Sequence, residues 1–358
     1  MRNYGLLSMQ WSGVDYDLDS QVCSTSQIGL FIGIWLMTKT EPPTLLAALE
    51  DLFIEKSLSH DLGELPRILI IHGILQRSWE VNGYFEQVLS RYEPSNKKDS
   101  RKKLNLGSIW MPTQPTFARW RNSSCDCLDI LHWSANSYYM GLSGIEHATI
   151  MHLHIARVVL LSPLSDIINL ARFTSEASTA TSQSQILASE QAVRKWATQD
   201  QYKARLAVSH AGMLWWHVRR FSVNGFYEPV LVALATLLLW AFPTFRNKPL
   251  AGTERGDQTV AVMSDNQSDR SDSEEAGDCD IILLDRPTDD ELKRDFVRRG
   301  HTMMPILAGV GNLYGDEAPI LVLKEGRKIL YSLTCWGMRW EWISVLERLL
   351  EATTRSAG

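Results

Sequence analysis

Three histidines on one predicted helix are the first residues in this sequence whose types and spacing could do chemistry. His147, His152 and His154 lie in an apolar stretch that also contains Arg157. Because a helix turns by about 100° per residue, His147 and His154 share an arc with Arg157, whereas His152 points into the apolar sector. Metal ligation by one helix normally needs two ligands four residues apart, which this spacing does not supply. The pattern favours a polar groove or a hydrogen-bonded interface formed by His147, His154 and Arg157 over a metal site.

Two further histidines, His210 and His217, are also seven residues apart. They share their face of a predicted helix with Leu206 and Met213, and histidines on an apolar face are usually hydrogen-bonded core residues. Arginines beside a nearby tryptophan pair, Trp215 and Trp216, could stack on an indole ring. The sequence therefore predicts packing, and not catalysis, for this region.

The cysteines do not predict a metal centre. Cys125 and Cys127 with His132 form the one cluster worth testing, but it lacks a convincing fourth ligand nearby. No cysteine pair is followed by the histidine pair of a zinc finger. The five cysteines are odd in number and scattered, which argues against a disulfide framework and favours a reducing compartment.

Motifs of the common enzyme classes are also missing from the sequence. Gly309-x-Gly311 with Gly315 resembles a dinucleotide loop only superficially, because no strand is predicted before it and Asp316-Glu317 would repel a pyrophosphate. We expect a loop turn there. No nucleophile elbow, phosphate loop or kinase motif set is present, so we expect no catalytic residues, no cofactor and no enzymatic activity.

Two polar segments could carry regulation. A compact basic run in a predicted loop over residues 93–107 could direct nuclear import or could be a solvated, flexible loop; its charged members are Lys97, Lys98, Arg101, Lys102 and Lys103. An acidic, serine-rich insertion over residues 246–280 could be phosphorylated or could be only a solvated loop; its candidate serines are Ser268, Ser271 and Ser273. The sequence leaves both alternatives open.

The elements that must position these residues are predicted to be helices. The chain has 358 residues, is 45% hydrophobic and has a net charge of −5, which excludes wholesale disorder and a chain-wide positive field for nucleic acid. The longest apolar run, residues 230–242, is too short to cross a bilayer and is expected to be a core helix that Pro243 ends. Thr288 is expected to cap a later helix through a capping box with Glu291. No strand pattern of useful length is visible, so the predicted class is all-α, with many helices and long loops.

Five longer blocks resemble the fungal-specific transcription factor domain, also called the middle homology region. They are LPRILIIHGILQRSWEV (65–81), RWRNSSCDCLDILHW (119–133), GIEHATIMHLHIARVVLLSP (144–163), WATQDQYKARLAVSHAGMLWWHVRRFSVNGFYEP (196–229) and DDELKRDFVRRGHTM (289–303). The resemblance covers nearly the whole chain and is closest to the subgroup that usually carries two-cysteine two-histidine zinc fingers. Several of the thirteen tryptophans fall inside these blocks and are expected to be core and interface rings.

The resemblance implies a regulatory domain of a nuclear transcription regulator that acts through protein contacts. It implies one domain over residues 28–352, preceded by a disordered segment over 1–27 and followed by a tail over 353–358. The expected partners are other transcription regulators or a second copy, with no membrane. The sequence contains no zinc finger, so no DNA-binding residue is identified, and the resemblance implies DNA contact and zinc only through a finger region outside this sequence. The alternative is an all-α ligand-binding or enzymatic domain with a small-molecule site on the His147, His154 and Arg157 face.

Overall fold

The structure is a computed structural model that describes residues 43–58, 62–76, 115–140, 148–175, 183–247, 280–335 and 337–357. Within these ranges 77% of the residues are helical, in eleven helices, and a three-stranded sheet is the one other regular element. The all-α prediction is therefore confirmed. The helices before the sheet are α1 (Leu45–Ile54), α2 (64–76), α3 (Pro115–Met140), α4 (Ala148–Leu161), α5 (Leu164–Ser175), α6 (Gln183–Thr198), α7 (Gln201–Phe221) and α8 (Glu228–Asn247). The elements that follow are β1 (Ile281–Leu283), α9 (Asp290–Arg299), β2 (Met304–Leu307), β3 (Gly311–Asn312), α10 (Ala318–Ser332) and α11 (Met338–Ala357).

Helix α8 is the centre of the larger hydrophobic core. It packs against α7 and α10, and it begins at Glu228 with Pro229 in its first turn, where proline is favoured. The helix does not end at Pro243, as the sequence predicted, but continues to Asn247. Phe242 and Phe245 on either side of the proline are almost fully buried, so packing of these rings offsets the hydrogen bond that proline cannot make.

The same helix is the one described element long and apolar enough to cross a bilayer by length and composition. However, 83% of its apolar window is buried inside the protein. Burial of this extent is typical of a core helix, which is the role that the sequence predicted for residues 230–242.

Helix α4 is shared by two hydrophobic cores. Twelve of its fourteen residues are buried. Ile155 and Val158 contribute to the larger core around α8, whereas Leu153 and Leu160 contribute to a smaller core with α1, α2 and α3. A helix covered on both sides has no wet face, so its polar side chains must find partners within the protein.

The small sheet was not predicted from the sequence. Strand β1 pairs in parallel with β2 through the crossover helix α9, and β2 pairs antiparallel with β3. A strand therefore does precede Gly309, which lies in the turn between β2 and β3, and Gly311 is the first residue of β3; both glycines have a φ of 82°. Glycine suits these two positions because it alone enters this region without a steric penalty.

Two further boundaries differ from their predictions. The residue that caps α9 is Asp289, which accepts a hydrogen bond from the backbone N–H of Glu291 over 2.6 Å, whereas Thr288 donates its hydroxyl to the Leu283 carbonyl. Carboxylates cap helices as well as hydroxyls do, so two adjacent candidates left the start ambiguous by one residue. At the C-terminus, α11 runs to Ala357 and takes in most of the segment predicted as a tail over 353–358.

Candidate functional site

Four histidines from three helices meet at the buried face of α4. His154 on α4 is central: its Nδ1 lies 3.0 Å from the Nδ1 of His210 on α7. The ring centroid of His154 lies 5.3 Å from that of His210, 5.0 Å from that of His217 and 5.8 Å from that of His132 on α3. We call His132, His154, His210 and His217 the histidine cluster. Because two facing nitrogens at 3.0 Å must share one proton, one of the His154 and His210 rings donates and the other accepts.

Burial keeps the rings of the histidine cluster uncharged near neutral pH. It lowers the pKa of His132 to about 4 and that of His217 to about 3, and the other nearby positive groups add to the effect. The pKa values of His154 and His210 are lowered well below 6.5, again mainly by burial and secondarily by neighbouring histidines and Arg157. A neutral imidazole offers one donor and one acceptor, so the cluster can hold a hydrogen-bonded helix interface or accept protons on acidification.

Arg157 lies one turn along α4 from His154 and borders the histidine cluster. Its side chain is 6% exposed and pairs with the carboxylate of Asp129, which is 70% exposed. Arg157 therefore runs from the helix interface to the surface, where Asp129 on α3 neutralises it. His154 and Arg157 were both predicted to line either a polar groove or a hydrogen-bonded interface, and the structure places them inside the packed junction of α3, α4 and α7. The third member of that predicted groove, His147, lies outside the described residues.

A second group of rings lies around His152 on α4. The His152 ring centroid is 5.1 Å from that of His72 on α2 and 4.7 Å from that of Tyr227, just before α8. Burial lowers the pKa of His152 to about 4 and raises that of Tyr227 to about 12. His152 does point away from the His154 arc, as the helical angle predicted, and the rings it contacts are those of His72 and Tyr227.

Some buried polar atoms on α4 lack a hydrogen-bond partner among the described residues. They are Oγ1 of Thr149, Nδ1 of His152 and Nη1 of Arg157. Buried polar atoms of this kind are rare in folded proteins, and they mark water, ligand or strain. Within the described ranges no group of three histidine, cysteine or acidic side chains could hold a metal ion.

The cysteine pair does not join the histidine cluster. The Cys127 thiol donates to the carbonyl of Leu52 over 3.4 Å, and its sulfur accepts a hydrogen bond from the Lys56 ammonium at the same distance. Burial raises the pKa of Cys125 to about 11, so its thiol is protonated at neutral pH. Both residues lie in the packed face of α3 and are not arranged as a nucleophile or a metal ligand.

Arg219 near the end of α7 forms a network that the sequence did not predict. Its guanidinium donates to Asp285 over 2.7 Å, to Glu325 over 3.0 Å and to the Ala308 carbonyl over 3.1 Å. Its Cζ also lies 5.3 Å from the ring centroid of Trp215, which confirms the predicted stacking of an arginine on a tryptophan. The three partners come from distant parts of the chain, so no local spacing could have revealed the network.

The other predicted regulatory residues lie outside the described residues. These are the basic run, Lys97, Lys98, Arg101, Lys102 and Lys103, and the candidate serines, Ser268, Ser271 and Ser273. Nuclear import and phosphorylation at these positions stay predictions.

No family model, curated protein or solved structure matches this chain. The resemblance to the fungal transcription factor domain therefore depends on the sequence blocks alone.

Proposed function

We propose that this chain is the regulatory module of a fungal-type regulator of RNA polymerase II transcription. It acts in the nucleus through contacts with other transcription regulators or with a second copy of itself. It reaches DNA indirectly or through a finger region outside this sequence. It is not an enzyme and needs no cofactor of its own.

One observation supports this proposal most: the blocks that carry the resemblance pack on one another. Helices α2 and α3 share the smaller core with α4, and α4 packs along α7. The last block, which contains α9, also packs on α7, and Arg205 of α7 donates to the Val297 carbonyl near the end of α9 over 3.2 Å. Blocks that are far apart in the sequence thus form one continuous helical body, as expected if they belong to one domain.

The proposal predicts that the full chain changes transcription when it is brought to a promoter. In a fungal host, the chain fused to a heterologous DNA-binding domain should raise or lower a reporter relative to that DNA-binding domain alone. A fluorescent fusion should accumulate in the nucleus, and replacing the five basic residues of the 93–107 loop with alanine should reduce this accumulation. A fusion that stays in the cytoplasm, together with an unchanged reporter, would contradict the proposal.

A second candidate function, ligand binding, is favoured by the buried polar atoms of α4. Nη1 of Arg157, which lies one turn along α4 from His154, has no hydrogen-bond partner among the described residues. A small polar molecule held between helices could satisfy such atoms.

Ligand binding predicts a thermal shift that depends on His154. Screening the full chain against metabolites and metal ions should then find a compound that raises its Tm. That rise should disappear in His154→Ala and persist in Tyr202→Ala, which changes a half-exposed ring at the far end of α7. If no compound raises the Tm of the unsubstituted chain, this second function is wrong.

A further inference from the structure

The loop between α7 and α8 is built rigidly around a buried carboxylate. Glu228 is fully buried and accepts hydrogen bonds from the backbone N–H groups of Val223, over 2.9 Å, and Gly225, over 3.0 Å. It also accepts from the hydroxyl of Ser222. Asn224 has a φ of 54°, a left-handed conformation that costs about 1 kcal/mol or more in a residue other than glycine. These bonds hold one loop conformation.

This rigid loop presents apolar side chains to solvent. Val223 is 68% exposed and Phe226 is 70% exposed. Because the Glu228 bonds hold the loop in one conformation, Val223 and Phe226 are held outward in fixed positions. Fixed apolar side chains on a pre-organised loop are typical of binding surfaces.

The loop is joined to a second exposed aromatic region. The side-chain oxygen of Asn224 accepts from the backbone N–H of Thr334 over 2.8 Å, which ties the loop to the connection between α10 and α11. Tyr331 and Trp340 flank that connection, are about half exposed, and pack edge to face with their centroids 5.8 Å apart. We call this surface the apolar end; its members are Val223, Phe226, Tyr331, Met338 and Trp340.

The charges around the apolar end are mainly positive. Residues 220–228 and 328–341 contain three cations, Arg220, Lys328 and Arg339, and two carboxylates, Glu228 and Glu341. Glu228 is buried and bonded to its own loop, so Glu341 is the one carboxylate that these segments expose. Outside them, Glu325 pairs with Lys328 and Glu347 accepts from the Tyr331 hydroxyl, so the excess positive charge comes from Arg220 and Arg339. Arg339 lies over the Trp340 ring, 4.7 Å from its centroid, and so places positive charge on the aromatic surface itself. A second copy would bring these cations against one another, whereas an acidic partner would complement them.

We propose that the apolar end is a docking surface for a partner segment in which acidic residues alternate with large apolar ones. The apolar side chains of the segment pack on Phe226 and Trp340, and its carboxylates face Arg220 and Arg339. Tryptophan, tyrosine and arginine are the residues that most often dominate binding energy at such surfaces. This inference rests on the proposed function, because it names the chemistry of the partner through which the module acts.

The test is the binding of a defined probe to the full chain. A short fluorescein-labelled peptide of alternating acidic and apolar residues should raise its fluorescence anisotropy on binding. Phe226→Ala and Trp340→Ala should each weaken this binding by about tenfold or more, as for hot-spot residues. Phe226 is largely exposed and Trp340 is half exposed, so these variants should fold normally. The matched control, Tyr202→Ala, removes a half-exposed ring from the opposite end of α7 and should bind as the unsubstituted chain does.

Charge and self-association complete the test. Arg220→Glu should weaken the binding of the acidic peptide and strengthen the binding of a peptide in which lysine replaces the acidic residues. Equal binding of both probes by the unsubstituted chain, or unchanged binding by Phe226→Ala, would overturn the proposal. So would a dimer in sedimentation velocity that Phe226→Ala abolishes, since the occupant would then be a second copy. If the reporter does not respond but the peptide still binds and Phe226→Ala weakens that binding, the proposed function is wrong and the docking surface is supported.

Discussion

Lowering the pH from about 6 to about 5 should reduce the free energy of unfolding of this protein by about 3 kcal/mol, through three buried histidines alone. His152, His154 and His217 are each less than a tenth exposed. Burial lowers the pKa of His152 to about 4, that of His217 to about 3 and that of His154 well below 6.5. The unfolded chain therefore takes up these protons below pH 6.5, whereas the folded chain does not.

The sign follows from this difference in bound protons. Stability from these groups is complete above pH 6.5 and is lost as the pH falls toward 4, where the folded chain begins to bind protons as well. Each proton changes the free energy of unfolding by about 1.4 kcal/mol per pH unit. Since domains are stable by about 5–15 kcal/mol, a loss of about 3 kcal/mol is easily measured.

Chemical denaturation followed by circular dichroism at a series of pH values measures this effect. His154→Gln should make the free energy of unfolding fall less steeply with acidification, by about 1 kcal/mol between pH 6 and pH 5, which is one third of the total. The comparison uses slopes, because the substitution also changes packing. His301→Gln, at an exposed position after α9, is the matched control and should leave the slope unchanged. Equal stability of the unsubstituted chain at pH 6 and pH 5 would contradict the burial of these rings.

Removing the ring of Trp196 should reduce the free energy of unfolding by about 3–5 kcal/mol. Trp196 on α6 is fully buried, and its ring packs edge to face with Phe242 of α8 at a centroid distance of 5.9 Å. Its Nε1 donates to the Leu161 carbonyl at the end of α4 over 2.9 Å. Trp196→Ala therefore opens a cavity and also leaves a buried carbonyl without its donor.

Urea denaturation checks this prediction against an exposed tryptophan. Trp133 on α3 is 81% exposed, so Trp133→Ala should change the free energy of unfolding by less than about 1 kcal/mol. Trp196→Phe keeps much of the apolar volume and loses the hydrogen bond, so its stability should lie between those of the unsubstituted chain and Trp196→Ala. Similar losses in Trp133→Ala and Trp196→Ala would show that the ring of Trp196 is not in the core.

Helical periodicity predicted the fold class because apolar residues recur every three to four positions through most of the chain. Two of the three tryptophans of the 196–229 block, Trp196 and Trp215, are fully buried, whereas Trp133 of the 119–133 block faces solvent. Periodicity identifies the face of a helix but not which other element covers it. Trp133 is 81% exposed although its block is similarly patterned.

The candidate site shows the same limit. The helical angle placed His154 and Arg157 in one arc, and it placed His210 and His217 on another helix, but spacing could not show that the two helices pack together. The polar arc of α4 left two alternatives, a polar groove and a hydrogen-bonded interface, because the pattern of one helix does not show what packs on it. Contact between α4 and α7 buries that arc, and the histidines of both helices then become one group.

The sheet and the cap of α9 could not be predicted for a different reason. Strands β1 and β3 have three and two residues, which is too short for any alternation of polar and apolar side chains to be visible. Strands this short pair only where the folded chain brings them together, and β1 and β2 meet because α9 connects them in a crossover. The cap of α9 was ambiguous because Thr288 and Asp289 are both good capping residues.

The burial of α4 between two cores also limits how this protein can change over evolutionary time. A larger side chain at Leu153 would push the helix toward the core around α8, and a larger one at Val158 would push it toward α1, α2 and α3. Core substitutions on one side of α4 are therefore tolerated only with a compensating change on the other side. Relatives of this chain should for this reason show paired substitutions across α4, and the two halves of the protein should diverge together.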